Sequence, residues 1–548
     1  MTAPAQRPRR RAFTKRSRTG CRSCRIRHVK CDETPEACRN CTSRGWTCGG
    51  YEQNRLPRPQ APKGEDLTLT RAPGASGFQW ATTVDEKRCV SFFLHRLIPN
   101  LTSFHDSSLW QQLILQMTCS EPAVYHAVVA LGAAAQGLER EGICLPGTTP
   151  QNTWHQFALE ESIRSFNLLM KRPALYDPQF QQALLVCCLL FVLLELAATN
   201  YSSATAHLRS GLAIIRETSI EHHLRRTSPA MLDIFLYLEA QAPLVGMTLP
   251  PSHLGDQRVY EHQYELCLNE FCTLSDVKRA LTPLLNMGNS FLAYCWSLCG
   301  REINAMYGTL HTRQIGLISW LNMFATRLRT FLTIVYPHLN ARQQRELDII
   351  KLNHLALLLA IKTCLNRSSP EHEYFMSDYQ ELLSKALAIM DCLEQSPLIL
   401  DTVICSSLFP VAAHCPDYYM RLQAIDALRA WPHWEGYSNS VMIANLVEEV
   451  MKSELRQLCR EVQTGERISL PAGLTIERAE NGVDFAYIRG RCGLMERWLS
   501  LAPRPQLRDA LISVGSSPNW SCMRVSEIVG AQMVMSDWGN KEFLSADR

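Results

Sequence analysis

The segment that decides the fold is residues 20–51, GCRSCRIRHVKCDETPEACRNCTSRGWTCGGY. It holds six of the chain's 22 cysteines at the spacing C-x2-C-x6-C-x6-C-x2-C-x6-C, which is one 17-residue unit written twice. Clustered thiols in a reducing compartment are typical of metal ligands, because disulfides are uncommon there. The segment is too short to bury a sizeable apolar core, so bound metal is expected to supply most of its folding free energy.

The ligand count predicts two zinc ions that share thiolates. A tetrahedral zinc ion takes four ligands, so two separate ions need eight positions while six thiolates are present. Six thiolates are enough for two ions if two of the cysteines bridge both. The internal repeat selects Cys21 and Cys38 as the bridging pair, because each is the first cysteine of its half. A single four-thiolate zinc site with two spare thiols and an iron–sulfur cluster are the alternatives. The predicted ligand sets are Cys21, Cys24, Cys31 and Cys38 for one Zn²⁺, and Cys38, Cys41, Cys48 and Cys21 for the other.

The charge distribution indicates a nucleic-acid partner. Residues 1–60 contain 15 Lys+Arg against four Asp+Glu, a net charge of +11, whereas the remaining residues contain 41 against 48, a net charge of -7. Positive charge concentrated at one end suits an arm that neutralises phosphates. We therefore predict that residues 1–20 are a basic disordered arm that doubles as a nuclear import signal.

The cysteine segment resembles the fungal binuclear zinc cluster (Zn2Cys6) transcription factors in all six cysteines and in the basic stretch between the second and the third. This resemblance implies a short helix that enters the major groove of double-stranded DNA, usually over a CGG triplet. By analogy Arg27 and His28 read bases, because their N–H groups can donate to guanine acceptors. His28 stands where the family often has lysine. The expected phosphate contacts are Arg22, Arg25, Lys30, Arg39 and Arg44.

Two other residues of the segment are given structural roles. Pro35 lies in the loop that joins the halves and is predicted to form a turn. Trp46 is predicted to pack on the small cluster core rather than to stack on a base.

The rest of the chain reads as helical. Thr273–Asp276 resembles a capping box, and Asp177 followed by Pro178 is a helix start signal. The run Ala183–Leu194 is apolar for 12 residues, which is too short for a membrane span and predicts a buried core helix. Alternating β-branched strands are hard to find, so we predict an all-α body. Further helices are predicted at 311–335, 341–366, 377–394, 417–430 and 441–463.

The domain organisation follows from these patterns. The all-α chain is predicted to comprise the disordered arm (1–20), a Zn2Cys6 DNA-binding domain with two short helices (21–48), a flexible linker (49–84), a large all-helical regulatory domain (85–515) and a C-terminal tail (516–548). The body also resembles the fungal-specific transcription factor domain that follows such clusters, in the stretches at 92–136 and 206–217. With no apolar leader after the start methionine, a soluble, intracellular and nuclear chain is expected.

The sequence contains no HExxH, G-x-S-x-G, GxxxxGK[ST] or GxGxxG motif, so a regulatory rather than an enzymatic body is predicted. The histidines at 222, 223 and 414 read as surface or capping residues. The scattered cysteines read as ordinary core residues, among them Cys187, Cys188, Cys295, Cys299, Cys405 and Cys459. An enzymatic body and an RNA- or protein-interaction role for the cluster remain as alternatives. The linker holds nine Pro+Gly in 36 positions and no sustained heptad, so no coiled coil follows the cluster. The helical body is the expected contact for a second copy, another zinc cluster protein or the transcription machinery.

Overall fold

The computed structural model describes residues 20–48, apart from 22, 25–26, 28, 33 and 35–36, and residues 80–502. Within the second range it leaves out 81, 102–108, 144–151, 172–176, 221–228, 243–270, 367–372, 394, 401–402, 466–469, 472, 479–483 and 491–495. The chain divides into two compact units, Met1–Thr70 and Arg71–Arg548. The predicted basic arm, nearly all of the linker and the C-terminal tail lie outside the described residues.

The first unit contains α1 (Arg39–Thr42), which begins directly after Cys38. A helical turn also opens at Ser23 and Cys24, where the Arg27 N–H donates to the Ser23 carbonyl at 3.1 Å. Both turns include the second cysteine of their repeat, Cys24 in the first and Cys41 in the second.

The second unit is helical over most of its described length. Two π-helical turns, Phe93–Leu97 and Leu109–Ile114, continue into the helices that begin at Ile98 and Leu115. Short 3-10 turns lie at Tyr336–His338 and Glu373–Phe375. The helices are α2 (Val84–Phe92), α3 (Ile98–Leu101), α4 (Leu115–Ser120), α5 (Pro122–Glu141), α6 (Thr153–Met170), α7 (Pro178–Ala197), α8 (Tyr201–Ile220), α9 (Pro229–Gln241), α10 (Leu274–Ser297), α11 (Gly300–Ala305), α12 (Tyr307–Val335), α13 (Ala341–Thr363), α14 (Met376–Cys392), α15 (Ile404–His414), α16 (Tyr418–Ala430) and α17 (Ser440–Gln463).

Helix starts follow the local signals in the sequence. Asp177 caps α7 by accepting from the Gln179 N–H at 3.0 Å, and proline occupies the first turn. The predicted capping box of Thr273 and Asp276 is present at the start of α10. The predicted helices at 311–335, 341–366, 377–394, 417–430 and 441–463 correspond to α12, α13, α14, α16 and α17.

Helix α7 is the apolar core helix that the sequence predicts. By length and composition Gln179–Ala197 could cross a membrane, but 72% of it is buried inside the protein. It packs against α5 and α8, and Val186, Leu189 and Leu190 are each fully buried. This burial supports the interpretation of α7 as a core helix, because the apolar side chains of a core helix pack against neighbouring helices rather than against lipid.

The scattered cysteines agree with ordinary core packing at four of the six positions singled out. Cys187, Cys188, Cys295 and Cys405 are buried, whereas Cys299 and Cys459 are partly exposed. Free cysteine behaves as a small apolar residue in such places.

The prediction of a helical body is confirmed, but its described residues also contain two small three-stranded sheets. In the first, β1 (Leu398–Ile399) pairs in parallel with β2 (Trp434–Glu435), which pairs antiparallel with β3 (Ser438–Asn439). The second contains the antiparallel strands β4 (Leu474–Arg478), β5 (Asp484–Arg489) and β6 (Glu496–Ser500). These strands were missed because they are short, and only Ala486 and Ile488 are deeply buried along β5.

Gly473 permits the close approach at the start of that sheet. Its φ is +80°, and a Cβ there would lie 2.6 Å from the Arg489 carbonyl oxygen. Any other residue would be strained at this position.

Candidate metal centre and nucleic-acid interface

Six cysteine sulfurs converge in the first unit. The Cys21 Sγ lies 3.5 Å from the Cys38 Sγ and 3.7 Å from the Cys41 Sγ. Four sulfurs around a tetrahedral zinc ion, each about 2.3 Å from the metal, lie about 3.8 Å apart. Two groups of four have all ligand atoms within 4.8 Å of one another, and both contain Cys21 and Cys38. The groups are Cys21, Cys24, Cys31 and Cys38, and Cys21, Cys38, Cys41 and Cys48. The donor set therefore fits two ions that share two thiolates.

The two halves of the cluster repeat the same hydrogen bond. The Cys21 N–H donates to the Cys31 Sγ at 3.4 Å, and the Cys38 N–H donates to the Cys48 Sγ at 3.4 Å. Each bond joins the first cysteine of a repeat to the third, so the 17-residue repeat in sequence is also a structural repeat. Such N–H donation stabilises a negatively charged sulfur.

Burial sets the acid–base behaviour of these thiols in the absence of metal. It raises the pKa of the Cys21 thiol to about 12, and it also raises the pKa of Cys24 and of Cys38. Zinc binds thiolates, so metal binding must displace protons from these groups. Six thiolates with two Zn²⁺ carry a formal charge of -2, which the neighbouring basic residues offset.

Asp32 joins the two halves of the cluster. It follows the third cysteine, and its carboxylate accepts the backbone N–H groups of Arg39 and Asn40 at 2.9 and 3.0 Å, at the start of α1. Its hydrogen bond from the Thr34 hydroxyl, followed by these backbone bonds, holds the pKa of Asp32 well below its usual range. Sequence reasoning missed this residue, because a cap seven positions before its helix lies outside the local capping pattern.

The described basic residues of the segment lie at the surface. Lys30, Arg39 and Arg44 are exposed, Arg27 is half-buried, and none of these four has an ion pair within the described part of the chain. Unpaired basic side chains on one small unit are available to phosphates. The other predicted contacts, Arg22, Arg25 and His28, and also Pro35, lie outside the described residues.

The prediction for Trp46 was wrong. Its side chain is 56% exposed rather than packed on the cluster core, and the Arg27 guanidinium lies over its ring at 4.6 Å from the centroid. The negative face of the indole attracts the guanidinium cation. The Trp46 ring therefore contacts Arg27 instead of the cluster core. One nitrogen of Arg27, Nη1, is buried and has no hydrogen-bond partner in the described structure.

Among the described residues of the body, two other groups of potential metal ligands occur, and internal contacts occupy both. The buried Glu435 carboxylate accepts the backbone N–H groups of Val403, Ile404 and Cys405 at 3.1, 2.8 and 2.8 Å, which caps the start of α15. His433 contacts the same carboxylate at 3.0 Å.

In the second group Glu161 pairs with His126 and Arg164, both at 2.6 Å, and Arg164 also pairs with Glu86 at 3.3 Å.

Comparison with known proteins identifies both regions. Residues 19–58 match the family model of the fungal Zn(2)-Cys(6) binuclear cluster domain, and residues 88–287 match that of the fungal specific transcription factor domain. Both matches confirm the resemblances in the sequence. No solved structure matches the chain.

Curated relatives are fungal regulators. The chain is 28% identical over 251 residues to the aspercryptin biosynthesis cluster-specific transcription regulator atnN of Emericella nidulans, covering 41% of this chain and 40% of that protein. It is 26% identical over 203 residues to the transcription regulator lscL of Purpureocillium lilacinum, covering 35% of this chain and 48% of that protein. A segment of 61 residues, 11% of this chain and 14% of its relative, is 39% identical to the white-opaque regulator 2 of Candida albicans. The chain thus spans less than half the length of the first two relatives.

Proposed function

We propose that this chain, which carries a two-zinc Zn(2)-Cys(6) cluster domain and a fungal specific transcription factor domain, is a nuclear, sequence-specific DNA-binding transcription regulator of RNA polymerase II genes. The observation that carries the proposal is the convergence of six sulfurs in a unit that exposes the basic side chains of Lys30, Arg39 and Arg44. The relatives' printed names as transcription regulators support it.

In this proposal Cys21 and Cys38 bridge the two ions, because each belongs to both groups of four sulfurs. The zinc ions supply the folding free energy that the small unit cannot obtain from apolar burial. Asp32 holds α1 against the first half, and Ser23 donates to the Thr47 carbonyl at 2.9 Å. These bonds fix the two halves relative to each other, so that the basic residues present one rigid surface to the duplex.

Arg27 reads a base and Arg39 contacts phosphate in this account. Arg27 lies between the second and third cysteines, and Trp46 limits the positions of its guanidinium. A preorganised guanidinium can bind guanine O6 and N7 in a bidentate manner. Arg39 is exposed at the first turn of the other half, where it adds charge without a fixed orientation.

The test compares Arg27→Ala with Arg39→Ala in the full, zinc-loaded chain. Fluorescence anisotropy measures binding to a CGG duplex and to a scrambled duplex across a range of salt. Arg27→Ala is expected to cost about 1–3 kcal/mol on the CGG duplex alone, whereas Arg39→Ala weakens both duplexes equally and reduces the log–log salt slope by about 1. Equal losses on both duplexes for Arg27→Ala would remove it from the base-reading residues.

An RNA-binding role is the competing function for the cluster. Competition between the CGG duplex and a structured RNA of the same length separates the two, because A-form RNA hides the major-groove edges that a short helix reads. A regulator of the proposed kind is displaced by the duplex at much lower concentration than by the RNA.

We also propose that the chain reads a single triplet as a monomer through its cluster and that any dimer forms through the helical body. Sedimentation of the full chain with one-triplet and two-triplet duplexes measures this directly. A dimer whose formation requires one fixed triplet spacing would contradict a flexible linker.

A further inference from the structure

A cleft lies in the second unit where α10, α13, α15 and α17 meet, and it encloses about 110 Å³. Ala356 and Ala360 stand one turn apart on α13 and form one wall, while Leu292 and Trp296 face the cleft from α10. The space exists because α13 presents two methyl groups where larger side chains would fill the gap. Clefts between the helices of a bundle are common positions for small-molecule sites.

The walls of this cleft favour a neutral ligand. They are mostly aliphatic and aromatic, and the described residues that line them include no Asp, Glu, Lys, Arg or His. Cys405 is the one titratable residue among these, and burial raises the pKa of its thiol well above the usual range. A charged molecule would lose its hydration here without gaining a partner.

Asn353 brings a polar group to the mostly apolar wall. It is 4% exposed and lines the cleft, and no other described residue hydrogen-bonds its side-chain amide. An amide at the wall of an apolar cleft fixes the orientation of a bound molecule through one donor and one acceptor. Asn289, one turn from Leu292 on α10, lines the cleft as well.

We propose that this cleft is a binding site for a small, neutral, largely apolar molecule that carries an amide or lactam group. Its apolar part fills the space left by Ala356 and Ala360, and its amide pairs with the Asn353 amide, which offers both a donor and an acceptor. The volume is of the order of the cavity of about 150 Å³ that binds benzene in an engineered protein. The site goes beyond the proposed DNA-binding function, since it gives the helical body a small-molecule ligand that is separate from the DNA bound by the cluster.

Benzamide, toluene and benzoate are probes of matched size that test the ligand chemistry. Saturation-transfer NMR on the full, zinc-loaded chain without DNA reports binding of each probe, so a failure here is independent of any failure in DNA binding. Benzamide and toluene are expected to bind, with benzamide tighter, and benzoate is expected to bind at least ten-fold more weakly than benzamide, about 1.4 kcal/mol. Absence of binding by both neutral probes, or binding of benzoate as tight as that of benzamide, would overturn the proposal.

Three variants locate the binding. Asn353→Leu is expected to weaken benzamide about 5-fold, the effect of one hydrogen bond of about 1 kcal/mol, while toluene binds as before. Ala356→Phe fills the cleft and is expected to abolish binding of both neutral probes, whereas Ala341→Phe, an exposed alanine on the same helix, leaves it unchanged. Circular dichroism checks folding, and Ala360→Leu replaces Ala356→Phe if that variant is unfolded. Unchanged benzamide binding in Asn353→Leu and in the folded filled variant would place the probes elsewhere and refute the site.

Discussion

The cluster and the helical body are built on opposite physical principles. The buried residues of the described cluster core are five cysteines, with Val29 and Cys48 partly buried beside them. The body buries a continuous set of aliphatic and aromatic side chains between α9 and β6. Metal ligands thus occupy the interior of the cluster, whereas apolar side chains occupy the interior of the body. The fold of the cluster depends on bound metal, and the fold of the body depends on the removal of apolar surface from water.

This difference determines what a single substitution does in each region. Removing one ligand from a cluster without an apolar core removes a large part of the free energy that holds it together. Removing one side chain from a large core leaves its many neighbours in place, so the loss is local. Zinc chelation, mutation and a change of pH are therefore expected to affect the cluster and the body differently.

The largest expected effect is the loss of a bridging thiolate. Cys38→Ala is expected to lose both zinc ions and all specific DNA binding, because Cys38 belongs to both groups of four sulfurs. Cys24→Ala removes one thiolate from one group only and is expected to retain the other ion. Elemental analysis of the purified full chains measures zinc per chain. If both variants lose a single ion, Cys38 does not bridge.

A substitution in the apolar core of the body is the counterpart of the cysteine substitution in the cluster. Leu408 is fully buried in α15, so Leu408→Ala is expected to lower the free energy of unfolding of the body by about 2–5 kcal/mol and to leave two zinc ions bound. The half-exposed Leu159 gives the control Leu159→Ala, for which a loss of less than about 0.5 kcal/mol is expected. Urea unfolding monitored by the helical signal measures both. Zinc loss in folded Leu408→Ala would show that the regions are not independent.

A smaller effect is expected for the aromatic partner of Arg27. Trp46→Ala removes a cation–π contact worth about 0.5–1 kcal/mol and is expected to weaken binding to the CGG duplex by that amount, whereas Trp46→Phe retains most of it. Equal weakening on scrambled DNA would mean that Trp46 acts through the overall fold rather than through Arg27. The comparison with Arg27→Ala in a double-mutant cycle gives the coupling.

The smallest effect concerns pH and is confined to the body. Burial lowers the pKa of His354, whose Nε2–H donates to the Leu321 carbonyl at 2.9 Å. The unfolded chain takes up a proton below about pH 6.5 that the folded body binds less readily, so stability falls as the pH drops through that value. His354→Gln is expected to reduce the loss of urea midpoint between pH 7.5 and 5.5, and the exposed His338→Gln is expected to leave it unchanged. An equal loss in wild type and His354→Gln would exclude this histidine as a source of the acid sensitivity.

The parts of the molecule that follow from local rules were predictable from the sequence. Six cysteines at fixed spacing specify the cluster because zinc has a fixed ligand number, and helix starts such as Asp177 follow from one or two adjacent residues. The parts that depend on distant neighbours were not. Glu435 caps α15 from about thirty residues away, and Trp46 contacts Arg27 instead of the cluster core. The sheet of β4–β6 is stabilised by cross-strand pairing, which no single strand encodes.

The central claim is that the fold of the DNA-reading unit depends on bound metal, whereas the fold of the body depends on apolar packing and not on metal. It is tested most directly by titrating a zinc chelator into the full chain while circular dichroism and the anisotropy of a CGG duplex are recorded together. The account predicts that specific DNA binding disappears as two zinc ions leave, that nearly all of the helical signal persists, and that two equivalents of zinc restore binding. DNA binding that survives in the metal-free chain, or a helical signal that collapses with zinc removal, would contradict it.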